Sequence, residues 1–62
     1  MDLQTWFDQA KGARIEEPET GEVLTLVDVR YVGREPYFGL LPIGGSVKYV
    51  NLDRYDELTS LA

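Results

Sequence analysis

The side chains that most often carry catalysis are missing from this chain of 62 residues. It contains no histidine and no cysteine, so the usual general base, the thiolate nucleophile and the commonest zinc ligands are absent. Ser46, Ser60 and the four threonines therefore have no histidine to activate them as nucleophiles. We expect a protein that is not an enzyme and that needs no cofactor.

Carboxylates are the remaining side chains that could act as acids, bases or ligands. Glu16 and Glu17 are adjacent, and neighbouring residues of a strand point to opposite faces of a sheet, so they do not form an acid–base pair. Asp53, Asp56 and Glu57 lie close together along the chain and offer oxygen ligands suited to Ca²⁺ or Mg²⁺. The twelve-residue calcium loop is missing, however, and Asp53 is better placed to cap a helix. We predict no metal site.

The uneven distribution of charge is the main functional signal. Eleven Asp or Glu against six Lys or Arg give a net charge of −5. The segment 15–29 contains five of the acids and no basic residue, so it carries the whole net charge and the rest of the chain is neutral. The acids of this segment are Glu16, Glu17, Glu19, Glu22 and Asp28.

Two interpretations of the acidic segment remain open. Charged residues on an edge strand and turn keep a small protein soluble. A field of one sign can instead attract a partner of the opposite sign. On an extended strand the Glu17 and Glu19 carboxylates would lie about 6.6 Å apart along the chain, about twice the axial charge spacing of one DNA strand. Such a row could imitate a track of phosphates.

The scattered basic residues argue against direct binding of nucleic acid, which needs a basic patch. Arg30 and Arg34 flank a turn near Tyr31 and Tyr37, the nearest approach to a basic and aromatic site. Tyrosine combines an apolar ring with a polar tip and is frequent at protein interfaces. Tyr37 and Tyr55 are therefore candidate anchors for a protein partner.

A helix is predicted at the N-terminus, where it would contribute one apolar stripe to a core. Asp2 suits the N-cap, and Gly12 favours a left-handed stop after the helix. Apolar residues recur between them at the spacing of one helical face. These residues are Leu3, Trp6, Phe7 and Ala10.

Strand patterns fill the middle of the chain. A short edge strand is predicted at 14–17, followed by a turn at 18–21, and the strongest strand covers 22–32. Regular alternation in that strand predicts one shared face for Val23, Thr25, Val27, Val29 and Tyr31. Its other face carries Leu24 and Leu26 and then turns polar at Asp28 and Arg30, which predicts coverage of the first half on both sides and of the second half on one.

Two further strands are predicted at 37–41 and 47–52. The pair Gly44-Gly45 between them favours a tight hairpin, because paired glycines suit the turns that match strand twist. The same pair followed by Ser46 lacks the lysine and the spacing of a phosphate-binding loop.

Asp53 is predicted to cap a closing helix, with Asp56 in its first turn. The apolar side of this helix contains Tyr55, Leu58, Leu61 and Ala62. We therefore expect a single α+β domain over 1–62: an N-terminal helix, a three- to four-stranded antiparallel meander and a C-terminal helix. A small SH3-like barrel of five short strands is the alternative.

In size and charge the chain resembles the small acidic proteins with which phages and mobile elements block host defence, anti-CRISPR proteins among them. The resemblance is carried by the short length, the missing cysteines and the acidic segment from Glu16 to Asp28. It implies a non-enzymatic inhibitor that acts as a DNA mimic and blocks a basic nucleic-acid-binding site on a partner protein. The alternative is a small protein-interaction adaptor or regulatory subunit whose acids serve solubility.

No segment has the pattern of a secretory signal or of a membrane span. We therefore expect a complete small gene product in the cytoplasm of a bacterial host, without a membrane partner. A monomer or a weak homo-oligomer is expected.

Overall fold

The structure is a computed structural model that describes residues 2–60. Its elements are α1 (Leu3–Ala10), β1 (Arg14–Glu16), β2 (Val23–Val32), β3 (Glu35–Pro42), β4 (Lys48–Asn51) and α2 (Leu52–Ser60). The strands form one antiparallel sheet in the order β1-β2-β3-β4, so each strand pairs with its neighbour in sequence. The predicted α+β meander between two helices is confirmed, and the sheet is open rather than closed into a barrel.

Local signals set the bounds of α1, as predicted. The Asp2 carboxylate accepts a hydrogen bond of 2.8 Å from the Thr5 backbone N–H and so caps the helix. Beyond Ala10, Gly12 has a φ of +89°, the left-handed conformation that glycine adopts without strain. The Gly12 N–H then donates to the Leu26 carbonyl at 2.8 Å, which ties the end of α1 to β2.

The predicted turn after β1 is confirmed. The Glu17 N–H donates to the Glu22 carbonyl at 2.7 Å, and the Gly21 N–H donates to the Glu17 carbonyl at 2.7 Å. Gly21 has a φ of +74°. Because β1 ends at Glu16, the residues that follow it form a closed turn instead of continuing the strand.

A β-bulge interrupts the regular alternation of β2. Leu26 pairs with Leu40 before the bulge, whereas Asp28 pairs with Gly39 after it, so Val27 has no residue opposite. One extra residue in a strand shifts every following side chain to the other face.

The bulge decides which residues of β2 face the helices. Leu24 and Leu26 are buried before it, and Val29 packs against the same core after it. Regular alternation predicts that Val29 shares a face with Val23, which is wrong because the bulge lies between them. The predicted coverage of both sides is also wrong, since Val23 is exposed.

Two different connections join β2 to β3 and β3 to β4. Residues 33–34 form a two-residue turn with positive φ, +65°, at Gly33 alone, the pattern of a type II′ turn. Residues 43–47 form a longer loop. The tight hairpin predicted at Gly44-Gly45 is therefore wrong, because the connection is longer than a two-residue turn. Of the two glycines, only Gly44 has positive φ, +76°. β4 is correspondingly shorter than predicted.

The cap of α2 differs from the prediction. The Asn51 side-chain oxygen accepts a hydrogen bond of 2.9 Å from the Arg54 N–H, so Asn51 caps the helix and the prediction of Asp53 is wrong. Asn51 is an equally good capping residue that occurs two positions earlier. Asp53 lies in the first turn, where its charge interacts favourably with the helix dipole. Leu61 and Ala62 lie outside the described residues.

Both helices cover the same face of the sheet and enclose one core. Trp6 of α1 meets Phe38 and Tyr55 edge-on at centroid distances of 5.5 and 5.8 Å. Phe38 stacks on Tyr55 at 4.3 Å. The buried core consists of Ile15, Leu24, Leu26, Phe38, Leu40, Tyr55 and Leu58. Neither of the two described helices is long and apolar enough to cross a membrane.

Candidate interaction surfaces

Four of the five predicted acidic residues lie together at one end of the sheet. Glu16 ends β1, Glu17 and Glu19 lie in the turn, and Glu22 directly precedes β2; we call these four residues the acidic turn. Glu16 and Glu19 are exposed and make no ion pair within residues 2–60. The predicted extension of the edge strand to Glu17 is wrong, because β1 ends at Glu16 and Glu19 lies in the turn, so the phosphate-like spacing expected for an extended strand does not apply.

Arg54 of α2 reaches across to the acidic turn. Its Nη2 donates to both carboxylate oxygens of Glu17, at 3.1 and 3.2 Å, and its Nη1 donates to Glu57 at 3.1 Å. The Glu17 side chain is only 16% exposed, so this ion pair is better shielded from water than the others. The hydrogen bond to Glu57 and the charges of Glu17 and Glu19 raise the pKa of Arg54. The hydrogen bonds of Arg54 therefore link α2 to the turn.

A groove with a volume of about 220 Å³ separates the acidic turn from α2. Its apolar lining is provided by Leu24, Leu40, Val50 and Leu58. On its rim, the Lys48 ammonium lies 3.9 Å from a Glu22 oxygen with both side chains well exposed, so this pair is weak. The acidic turn together with Glu57 sets five acids against Lys48 and Arg54. Among the residues that the structure describes, the acids therefore exceed these two cations by three charges at this end of the sheet.

Asp28, the fifth predicted acid, lies apart from the acidic turn, on the face of the sheet opposite the helices, which we call the outer face. Its Oδ2 accepts hydrogen bonds from the Tyr49 hydroxyl at 2.7 Å and from Arg30 at 3.0 and 3.2 Å. The Arg30 guanidinium lies 4.7 Å from the centre of the Tyr49 ring, a cation–π contact. The Tyr49 hydrogen bond, supported by Arg30, lowers the pKa of Asp28, and the same bond raises the pKa of Tyr49.

Gly39 makes room for Tyr49 on the outer face. The two residues are direct partners in neighbouring strands. A Cβ on residue 39 would lie 3.0 Å from the Tyr49 ring and 3.1 Å from a Val47 methyl, so both side chains close over the glycine. Sequence reasoning missed Tyr49. The signal that could have found it is Gly39, since a glycine inside a strand often marks the close approach of another group.

Apolar side chains surround Tyr49 on the outer face. Val23 and Val47 are exposed, and Leu41 is half-buried. We call Val23, Leu41, Val47 and Tyr49 the outer patch. None of the described helices covers it, since both pack on the opposite face.

The two predicted aromatic anchors lie in different surroundings. Tyr37 is half-buried on the outer face, opposite Arg30 and Asn51, and its hydroxyl donates weakly to Glu35 at 3.5 Å. Tyr55 is 9% exposed in the core, and burial raises its pKa. Little of Tyr55 is therefore exposed, because the apolar side of α2 turns it toward the sheet.

Neither a metal cluster nor a known relative adds to these two surfaces. Within residues 2–60 no group of three or more carboxylates is arranged to hold a metal ion. Comparisons with protein-family models, with curated proteins and with solved structures found no match to this chain. The acidic turn and the outer patch are therefore defined by geometry and charge alone.

Proposed function

We propose that the protein is a non-enzymatic inhibitor that binds a basic, nucleic-acid-binding surface of another protein through the acidic turn. The observation that supports this function is the excess of three negative charges among the described residues at one end of the sheet. A local field of one sign attracts a surface of the opposite sign and accelerates the encounter. The partner is a protein that otherwise holds DNA or RNA in that basic site.

The four carboxylates of the acidic turn have different roles in this proposal. Glu16 and Glu19 contact the partner, because they are exposed and form no ion pair with the cations of residues 2–60. Glu17 keeps its bond to Arg54 and holds the turn in place. Glu22 exchanges Lys48 for a cation of the partner, since an exposed pair at 3.9 Å contributes little. Asp28, Tyr37 and Tyr55 take no part in the contact.

Charge reversal at Glu16 and Glu19 tests the role of the acidic turn. The double variant Glu16→Lys/Glu19→Lys should bind an arginine-rich peptide at least about tenfold more weakly, measured by fluorescence anisotropy. Asp8→Lys/Glu35→Lys is the matched control, since it changes the net charge equally at exposed positions in α1 and at the far end of the β2–β3 hairpin. Equal losses in the two double variants would mean that only total charge matters, and the proposal would fail.

Inhibition requires in addition that binding displaces nucleic acid. A basic protein captured by this chain from a lysate of the source organism should release bound duplex DNA when the chain is added. The release should decline as salt rises, because salt screens exposed charges. A captured protein that keeps its DNA, or an affinity that does not respond to salt, would contradict inhibition and favour an adaptor whose acids serve solubility.

A further inference from the structure

The outer patch differs from the face that an open antiparallel sheet normally presents to water. Such sheets turn apolar residues toward the core and polar residues toward solvent. Here Val23, Val47 and Tyr49 lie on the solvent side and are 37%, 40% and 43% exposed. Leu41 connects them: it is two residues from Gly39, over which Val47 and Tyr49 close, and it pairs with Thr25, which is two residues from Val23 on the same face.

Tyr49 is held in place before any partner arrives. Its hydroxyl is bonded to Asp28, and its ring lies between Gly39 and the Arg30 guanidinium. A side chain that is already ordered loses little conformational entropy on binding, which makes it an effective anchor. The absence of a side chain at Gly39 lets the Tyr49 ring lie against the sheet.

The charges around the outer patch favour a second copy of this chain as its occupant. Two positive and three negative side chains lie on the outer face, so it carries a net charge of only −1 although the chain carries −5. Two copies repel each other less when they meet through a face of low net charge. The five charged residues are Arg14, Glu16, Asp28, Arg30 and Glu35, of which Glu16 also belongs to the acidic turn.

We infer that the outer patch is the interface of a weak homodimer in which two sheets pack face to face. The four strands contain 25 residues, which at a rise of about 3.4 Å and a spacing of about 4.8 Å give a face of about 400 Å² per copy. A total of about 800 Å² is less than the roughly 1,200–2,000 Å² of stable complexes. The dimer therefore forms in the micromolar to millimolar range, and this inference does not depend on the function of the acidic turn.

Sedimentation velocity tests the homodimer. The mean mass should rise from 7.0 kDa toward twice that value between about 10 μM and about 1 mM protein. Val47→Lys and Val23→Lys should each keep the protein monomeric, because they place a charge in the interface. Leu52→Lys is the matched control: this apolar residue is 44% exposed at the start of α2, which packs on the opposite face of the sheet, and the variant should leave the dimer intact. Far-ultraviolet circular dichroism checks that each variant is folded.

The response to salt separates this interface from the acidic turn. Self-association should strengthen as salt rises, because screening weakens the repulsion between two chains of −5 each. Binding of a basic partner to the acidic turn has the opposite response. A mass of 7.0 kDa at every concentration, as expected if another protein occupies the patch, overturns the inference. A dimer that neither Val47→Lys nor Val23→Lys weakens overturns it too.

Discussion

Gly39→Ala is the substitution that tests most directly how the outer face is built. Gly39 does not have positive φ, so alanine fits its backbone. The added methyl would lie 3.0 Å from both the Asp28 Cβ and the Tyr49 ring, and 3.1 Å from Val47. Asp28 belongs to β2 and Tyr49 to β4, and Val47 lies in the loop before β4. The Tyr49 ring must therefore move, which stretches its hydrogen bond to Asp28.

The expected cost follows from these contacts. Overpacking of this kind typically costs about 1–3 kcal/mol. Replacing glycine also restricts the unfolded chain, which returns about 0.4–1 kcal/mol. We therefore expect a net loss of about 1–2 kcal/mol from a total free energy of unfolding of about 3–9 kcal/mol for a chain of this length.

Urea unfolding followed by Trp6 fluorescence measures this loss, because Trp6 contacts Phe38 and Tyr55 in the core. With a slope of about 1 kcal/mol per molar urea, the midpoint should fall by about 1–2 M. In a Tyr49→Ala background the cost of Gly39→Ala should shrink by at least about 0.5 kcal/mol, because the ring that the new methyl group would contact is absent.

Tyr31→Ala supplies the matched control for this cycle. Tyr31 is an exposed tyrosine of β2 that does not contact Gly39, so its loss should add to that of Gly39→Ala within about 0.5 kcal/mol. The proposed packing is refuted if Gly39→Ala costs the same with tyrosine or alanine at position 49.

Two further predictions concern the hydrogen bonds of the outer face and of α2. Tyr49→Phe removes the bond that lowers the pKa of Asp28, so a carboxyl titration by NMR should show that pKa rising toward its usual 3.8. A carboxyl group with a lowered pKa stabilises the folded state above the unfolded pKa, and this stabilisation is lost as pH falls through the folded pKa. The free energy of unfolding of wild type should therefore exceed that of Tyr49→Phe at neutral pH, and the excess should shrink below about pH 4. An excess independent of pH would contradict the assignment. Asn51→Ala should cost about 1 kcal/mol in urea unfolding, whereas Asp53→Ala should cost less than about 0.5 kcal/mol, and the reverse order would show that Asp53 caps α2.

The parts of the fold that the sequence predicts are those set by neighbouring residues. The Asp2 cap acts over three residues, and the turn at Gly21 closes within six, so both can be found from local residue types. The bulge at Val27 depends on how β2 pairs with β3, and the residues opposite the bulge, Gly39 and Leu40, lie more than ten positions further along the chain. No local pattern contains that information, so regular alternation misassigns Val29.

The candidate surfaces, too, were predictable only where residues close together along the chain define them. A run of acids without cations is visible in the sequence, and four of them do lie together. The partners of Glu17 and Asp28 were not predictable, because Arg54 is 37 residues from Glu17, and Tyr49 is 21 residues from Asp28. Charge counted along the chain therefore overstated the free charge of the segment.

The bulge in β2 also affects how this strand should be compared with other sequences. Without Val27, the strand would read as an uninterrupted alternation from Leu24 through Leu26 to Val29 on the core side. Val27 is thus equivalent to a one-residue insertion in a regular strand. A relative that lacks the insertion would keep the same core and outer face, but an ungapped alignment would match its core residues to outward-facing ones. Searches for relatives should therefore allow a single-residue gap at this position.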